Sequence, residues 1–127
     1  MTFRRFCIAI SSIFGSTAIV GGAFGAHALS YLPAERLNTL KTATQYQLIH
    51  AVALLIIATI IGGSSRSIRA AAVCLAAGTF LFSTSLSCVA ILNWRWAGAI
   101  APIGGTLLIV GWVSLFFFHP KSTDASD

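Results

Sequence analysis

The chain has 127 residues, of which 57% are apolar and only 9% charged, with three acids against eight lysines and arginines and a formal charge of +5. An ordinary soluble domain carries about 25% charged residues, so this chain has too few to clothe a surface in water, and a soluble globule is excluded. The eight basic residues are scattered over the segment boundaries and form no patch, which argues against a nucleic-acid partner and for topology anchors.

Charge spacing gives the organisation. Uncharged runs cover 6–34 (29 residues), 42–65 (24), 70–94 (25) and 96–120 (25). A membrane-crossing helix needs about 20 mostly apolar residues, and each run meets that length. The expected fold is all-α, an integral membrane four-helix bundle forming a single transmembrane domain over 1–127, with the lipid bilayer as its main partner. Cys7, Cys74 and Cys88 are odd in number, form no CxxC and sit in apolar runs, so they read as small buried side chains.

The first helix is predicted over about Phe6–Leu29. Gly21 and Gly25 form a GxxxG pair, and Ala18, Gly22 and Ala26 a parallel stripe. Lipid provides no hydrophobic drive for helices to associate, so close backbone approach must supply the packing; this helix is expected to be central. Arg4 and Arg5 ahead of an apolar stretch ending in Ala26-His27-Ala28 resemble a signal peptide, but the stretch is longer than a usual h-region of about 7–15 residues and is glycine-rich. A retained helix is the reading preferred.

After a polar connector, Ser30–Thr42, the second helix is predicted over Pro33–Ile61. Pro33 suits the first helical position, Glu35 the positive end of the helix dipole, and Gly62-Gly63 a C-terminal stop. At the standard rise its length is roughly 43 Å, more than a hydrocarbon core of about 30 Å, so its first turns belong among the headgroups. The third helix is predicted over Ile68–Leu92. A tight hairpin at Asn93–Trp96 follows, its two tryptophans suiting an interfacial belt. The fourth is predicted over Ala97–Phe118, with Pro102 removing the backbone bond to Gly98 and kinking or locally opening the helix near Gly98, Gly104 and Gly105. His119–Asp127 reads as a polar, disordered tail. Arg4, Arg5, Arg66, Arg69 and Lys121 would share one side and Arg36, Lys41 and Arg95 the other, a bias placing both termini in the cytoplasm.

The candidate chemistry lies in polar residues inside the apolar runs. Tyr46, Gln47 and His50 share a helical face, with His50 roughly 18 Å from the Gly62 end and so near mid-membrane. An intramembrane histidine is a functional candidate: a proton shuttle, a metal or haem ligand, or a substrate contact. The competing reading, preferred here, is an interhelical hydrogen bond to partners of the Gln47 kind or to Ser83, Ser85 or Ser87 on the third helix. Haem or metal ligation by His27 with His50 requires both at one depth, and His27 belongs nearer the interface; no cofactor is expected. Glu35, Asp124 and Asp127 all lie outside the apolar runs, leaving no paired carboxylates for acid–base work. No HExxH, P-loop or GxGxxG occurs. A hydrolase pairing His50 with a serine of the 83–87 segment lacks a glycine to open a nucleophile turn.

Three stretches, Gly22-Ala23-Phe24-Gly25-Ala26-His27-Ala28-Leu29, Tyr46-Gln47-Leu48-Ile49-His50-Ala51-Val52-Ala53-Leu54-Leu55 and Arg95-Trp96-Ala97-Gly98-Ala99-Ile100-Ala101-Pro102-Ile103-Gly104-Gly105, resemble in order and spacing the membrane family called domain of unknown function 423. The resemblance covers nearly the whole chain. It implies a four-helix protein of the bacterial inner membrane, or of the mitochondrial membrane in a eukaryote, with the first helix retained; it implies no activity. Three functions stay open. A non-enzymatic accessory or scaffold protein, meeting other membrane proteins or itself through small-residue faces, is favoured by size and short loops. An oligomeric transporter or channel would use Gln47, His50 and a helix broken near Pro102. A redox-cofactor or metal protein would use His27 and His50.

Overall fold

The computed structural model describes residues 1–61 and 65–119. Four helices account for most of them: α1 (Phe3–Ala26), α2 (Ala34–Ile60), α3 (Arg66–Leu92) and α4 (Ala101–Phe116), with a short 3-10 segment, Arg95–Ala99, leading into α4. All four apolar stretches are long enough to cross a bilayer, the 3-10 segment counting with α4. Large apolar side chains such as Ile13, Phe24, Ile49, Phe80, Ile103 and Phe116 face outward. In water this would be an aggregation surface; in hydrocarbon it is the expected exterior.

Local chemistry sets the ends. The Thr2 hydroxyl caps α1, accepting the Arg5 backbone N–H at 3.3 Å. That start precedes the expected Phe6, because arginines at the headgroup level are tolerated in a helical first turn. The other end is shorter than expected. α1 stops at Ala26, and His27–Leu32 form turns closed by Leu29 N–H to Phe24 O (2.8 Å) and Leu32 N–H to Leu29 O (2.9 Å). Pro33 stands just before α2 in extended conformation, its carbonyl accepting the N–H groups of Arg36 and Leu37. The expected stop at Gly62-Gly63 and the tail 120–127 lie outside the described residues.

Asn93 terminates α3 in the left-handed region (φ 57°), with the Trp94 N–H donating to the Cys88 carbonyl at 3.3 Å. Arg36 completes that end. Its Nε donates to Ala90 O (2.8 Å) and its Nη2 to Ile91 O (2.9 Å), placing a cation on the negative pole of α3. Trp94 and Trp96 stack at 5.8 Å beside it.

Pro102 does not interrupt α4, and of the two expectations, a kink or a local opening, the chain shows an opening just ahead of it. Pro102 occupies the first turn of α4, where an N–H would have no intrahelical acceptor, so proline costs nothing. The chain departs from α-helix earlier, in the 3-10 segment, whose Ala97 carbonyl accepts the Ser85 hydroxyl of α3 at 2.7 Å.

Helices pack in chain order: α1 on α2, α2 on α3, α3 on α4. The central pair is therefore α2 and α3, with 44% and 39% of their apolar windows buried, against 22% for α1 and for α4. The expectation that glycine-rich α1 is central is overturned. Its glycines admit one neighbour only: a methyl group on Gly21 or Gly25 would meet Thr44 or Leu40 of α2 at 3.0 and 3.1 Å, while Gly22 has nothing within 4 Å. The closest backbone approach is between α3 and α4. A Cβ on Gly104 would lie 2.5 Å from Phe82 N, one on Gly78 2.9 Å from Gly104 O, and one on Gly111 2.8 Å from Leu75.

The core sits in the half of the bundle that holds the start of α1 and the end of α4. Cys7 and Phe14 of α1, Leu54 and Ile57 of α2, Ile68 and Leu75 of α3 and Leu108 of α4 fill it, with Phe3, Ile61, Leu115 and Phe118 packed round it. Arg69 lies over the Phe3 ring, 5.3 Å from its centroid.

Candidate functional site

Two polar places are built into the apolar helices. The first surrounds His50, which is 4% exposed. Its Nδ1 lies 2.7 Å from the Tyr46 carbonyl one turn back, and the Trp112 indole Nε1 of α4 lies 3.1 Å from its Nε2. An indole nitrogen can only donate, so Nε2 must accept. Nδ1 then carries the hydrogen and donates to Tyr46 O. Both ring nitrogens of a neutral imidazole are thereby engaged. Tyr46 and Phe82 rings pack at 4.8 Å, and the Tyr46 and His50 rings lie 6.1 Å apart, walling the cluster on the remaining side. The serines of α3 expected as partners from the sequence make no hydrogen bond to His50.

Those serines serve other ends. Ser83, buried, donates to Ala43 O of α2 at 3.0 Å; Ser85, buried, holds the 3-10 segment; Ser87 is half-buried and lines a groove. On α1, Ser11 donates to Ala51 O of α2 at 2.8 Å. Each of these bonds crosses between elements, and in hydrocarbon each spares a hydroxyl the cost of facing lipid unpaired.

The second place is that groove. It lies between α1 and α3 with α2 as its floor, encloses about 780 Å³, and is lined from Ile13 to Phe24 on α1 and from Thr79 to Leu92 on α3. The Gln47 amide donates across it to the Thr17 hydroxyl of α1. Thr79, 0% exposed, lines the same groove, and its hydroxyl is the one buried side-chain atom among the described residues without a hydrogen-bond partner.

The remaining candidates are dispersed. His27 is exposed at the end of α1, its carbonyl accepting the Ser30 hydroxyl at 3.1 Å. Pro102 is exposed, and Gly98 and Gly105 make ordinary contacts, 3.6 Å from Val89 and 4.0 Å from Phe82. His27, Gln47, His50 and the Pro102 region therefore do not converge on one cavity. A haem or metal bridge between His27 and His50 finds no support: one is at the surface and the other has both nitrogens engaged. Among the described residues no cluster of three metal-ligating side chains occurs.

Sequence reasoning missed Thr17, Arg36, Gly78, Thr79, Gly111 and Trp112. A signal existed for Trp112: a tryptophan away from either interface carries an N–H that needs an acceptor in lipid.

Four apolar crossing helices, joined by short turns and locked by side-chain to backbone bonds between helices, define a small integral membrane protein. The chain belongs to the family described as "Protein of unknown function (DUF423)", whose model matches residues 21–105. It is 40% identical over 109 residues to a UPF0382 membrane protein of Staphylococcus saprophyticus, covering 85% of this chain and 91% of that one. A UPF0382 membrane protein of Staphylococcus aureus is 38% identical over 109 residues (85% and 89%), and one of Staphylococcus haemolyticus 41% over 95 (74% and 78%). No solved structure matches the chain.

Proposed function

We propose that this is a non-enzymatic accessory protein of the bacterial plasma (inner) membrane, with both termini in the cytoplasm, that works by docking α1 against a transmembrane helix of another membrane protein. The observation that carries this reading is the position of α1. It packs mainly on α2 and leaves its opposite side to lipid, with the small residues Ser12 and Ala23 exposed there. Small residues let helix backbones approach closely, which is the main source of association energy in a bilayer. The employment of Ser11, Ser83, Ser85 and His50 as ties between helices further supports a structural rather than a chemical use of the polar groups.

The test is solubilisation of native membranes in mild detergent, followed by size analysis and mass spectrometry of what travels with the protein. The expected result is a discrete complex that Ala23→Leu dissociates and Ile109→Phe, on the outer side of α4, does not. A parent protein migrating alone, or a complex indifferent to Ala23→Leu, sinks the reading.

A further inference from the structure

We propose that the cleft between the end of α1 and the first half of α2 binds an anionic phospholipid, with Lys41 and Asn38 holding the phosphate and the bare glycine side of α1 receiving an acyl chain.

The depth of Lys41 calls for a counter-ion. Ser83 of α3 bonds to the Ala43 carbonyl, which sets the levels of the two helices against each other. From Ser83 to the end of α3 at Leu92, beside the stacked Trp94 and Trp96, is roughly 14 Å at the helical rise. Lys41 stands two residues nearer that end than Ala43, so its Cα lies roughly 10 Å on the bilayer side of it. Arg36 leads to a similar depth. Its guanidinium meets the last turn of α3, and Lys41 is roughly 7.5 Å further in at the same rise. A cation at this level must stretch to the interface or be paired.

The protein supplies no partner. Thr42 and Thr44 bond only to the backbone carbonyls of this stretch, at 3.0 Å on Asn38 and 3.1 Å on Lys41. Among the described residues the Lys41 ammonium and the Asn38 amide have none, and both side chains are exposed. Glu35, the one acid among those residues, does not line the cleft. Arg36, by contrast, is spent on the carbonyls of Ala90 and Ile91. Asn38 and Lys41 stand one turn apart on one side of α2, Asn38 nearer the interface, so amide and ammonium offer their donors to one group between the two levels. The anion that a bilayer brings to this border is the lipid phosphate, whose oxygens accept charge-assisted bonds.

The cleft has room for such a molecule. It encloses about 320 Å³, and Gly21, Gly22 and Gly25 form its α1 wall. Two of these glycines serve helix packing: a methyl group on Gly21 or Gly25 would meet Thr44 or Leu40 at 3.0 and 3.1 Å. Gly22 does not, since a methyl group there would meet nothing within 4 Å. It bares backbone in a recess that the α1–α2 contact leaves unfilled, and in hydrocarbon a recess open to the bilayer is filled by lipid. Gly21 is level with Thr44, so Gly22 lies deeper than Lys41. Thr44, also deeper, turns its hydroxyl back to its own helix. The free donors thus stand at the outer end and the bare glycine below them, the order of a phospholipid with its head outward.

The experiment is native mass spectrometry of the purified full-length protein released from nanodiscs of phosphatidylglycerol and phosphatidylcholine in equal parts, with matched acyl chains. The expected result is one phosphatidylglycerol retained per chain, preferred over phosphatidylcholine by about fivefold. Lys41→Gln should abolish the preference and Lys41→Arg keep it. Gly22→Leu, which fills the recess, should lower retention of phosphatidylglycerol by about fivefold or more. Arg95→Gln, a cation at the same end of the bundle but outside the cleft, should change nothing, and an excess of inorganic phosphate should displace no lipid. Helix content and monodispersity are measured for each variant, and the exposed Lys41→Gln decides the question should Gly22→Leu misfold. Equal retention of the two lipids by the parent is the result of a lysine that merely stretches to the interface, and it would overturn the proposal. So would a preference that survives Lys41→Gln, one lost equally in Arg95→Gln, retention unchanged in a folded Gly22→Leu protein, or displacement by inorganic phosphate.

Discussion

At the scale of single residues, the bilayer makes every side-chain hydrogen bond a constraint, because there is no water to replace a lost partner. His50 shows the consequence. The sequence marks it as the histidine inside an apolar run, but its partner stands 62 positions away and belongs to a residue type usually found at membrane edges. Trp112→Phe keeps the aromatic volume and removes the donor; interhelical bonds of this kind average about 0.6 kcal/mol, and a loss of that size is expected in unfolding from mixed micelles. The same substitution should alter the nitrogen-15 shift of Nε2 while Nδ1 stays protonated. An Nε2–H tautomer in the parent protein would contradict the geometry. Thr79 behaves in the opposite sense. Replacing an unpartnered buried hydroxyl by a methyl group of the same shape removes a desolvation cost, so Thr79→Val should leave the unliganded protein as stable as the parent, or more so by about 1 kcal/mol.

At the scale of elements, glycine and proline carry most of the information, and their meaning depends on which helix lies opposite. Gly104 and Gly105 are adjacent and look alike in sequence. Gly104 lies against the α3 backbone, where a Cβ would overlap Phe82, whereas one on Gly105 would reach only the Phe82 ring at 4.0 Å. Backbone atoms cannot turn aside as a side chain can, so Gly104→Ala must push the helices apart; overpacking of this kind costs about 1–3 kcal/mol. Gly105→Ala should change stability by less than about 0.5 kcal/mol. The pair compared by thermal unfolding tests the α3–α4 interface directly, and equal effects would disprove it. Pro102→Ala should be similarly mild, since proline in a first helical turn forfeits no hydrogen bond; a kinked helix would instead gain about 3 kcal/mol on its removal. Helix existence was legible throughout because apolar length is a local property. The start of α1 and the 3-10 entry to α4 were not, because a threonine cap and a serine bond from another helix decide them.

At the scale of the whole molecule, the proposed orientation of four crossings puts Thr2 and the end of α4 on one side of the membrane, which the charge bias makes the cytoplasmic one. Single cysteines placed at Thr2, Tyr31 and Arg66, in a background with Cys7, Cys74 and Cys88 replaced, should label differently with a membrane-impermeant maleimide. Tyr31→Cys is expected to react in intact cells, and Thr2→Cys and Arg66→Cys only after lysis; the reverse pattern would invert the orientation. The order of packing also gives the molecule two unlike halves. The half holding the start of α1 and the end of α4 is filled by leucine, isoleucine and phenylalanine, and the other half opens between α1 and α3.

The sequence alone determined the solvent, the fold class and the number of crossings, because each follows from how far apart charges lie along the chain. It also carried the family, through three motifs whose order and spacing survive in one string. Tertiary structure decided which helices are central, which glycines touch a neighbour, what His50 bonds to and where the groove lies. In water an amphipathic stripe announces the face a helix will bury. In lipid both faces are apolar, and the choice of partner rests on shape and on a few hydrogen bonds between residues remote in sequence.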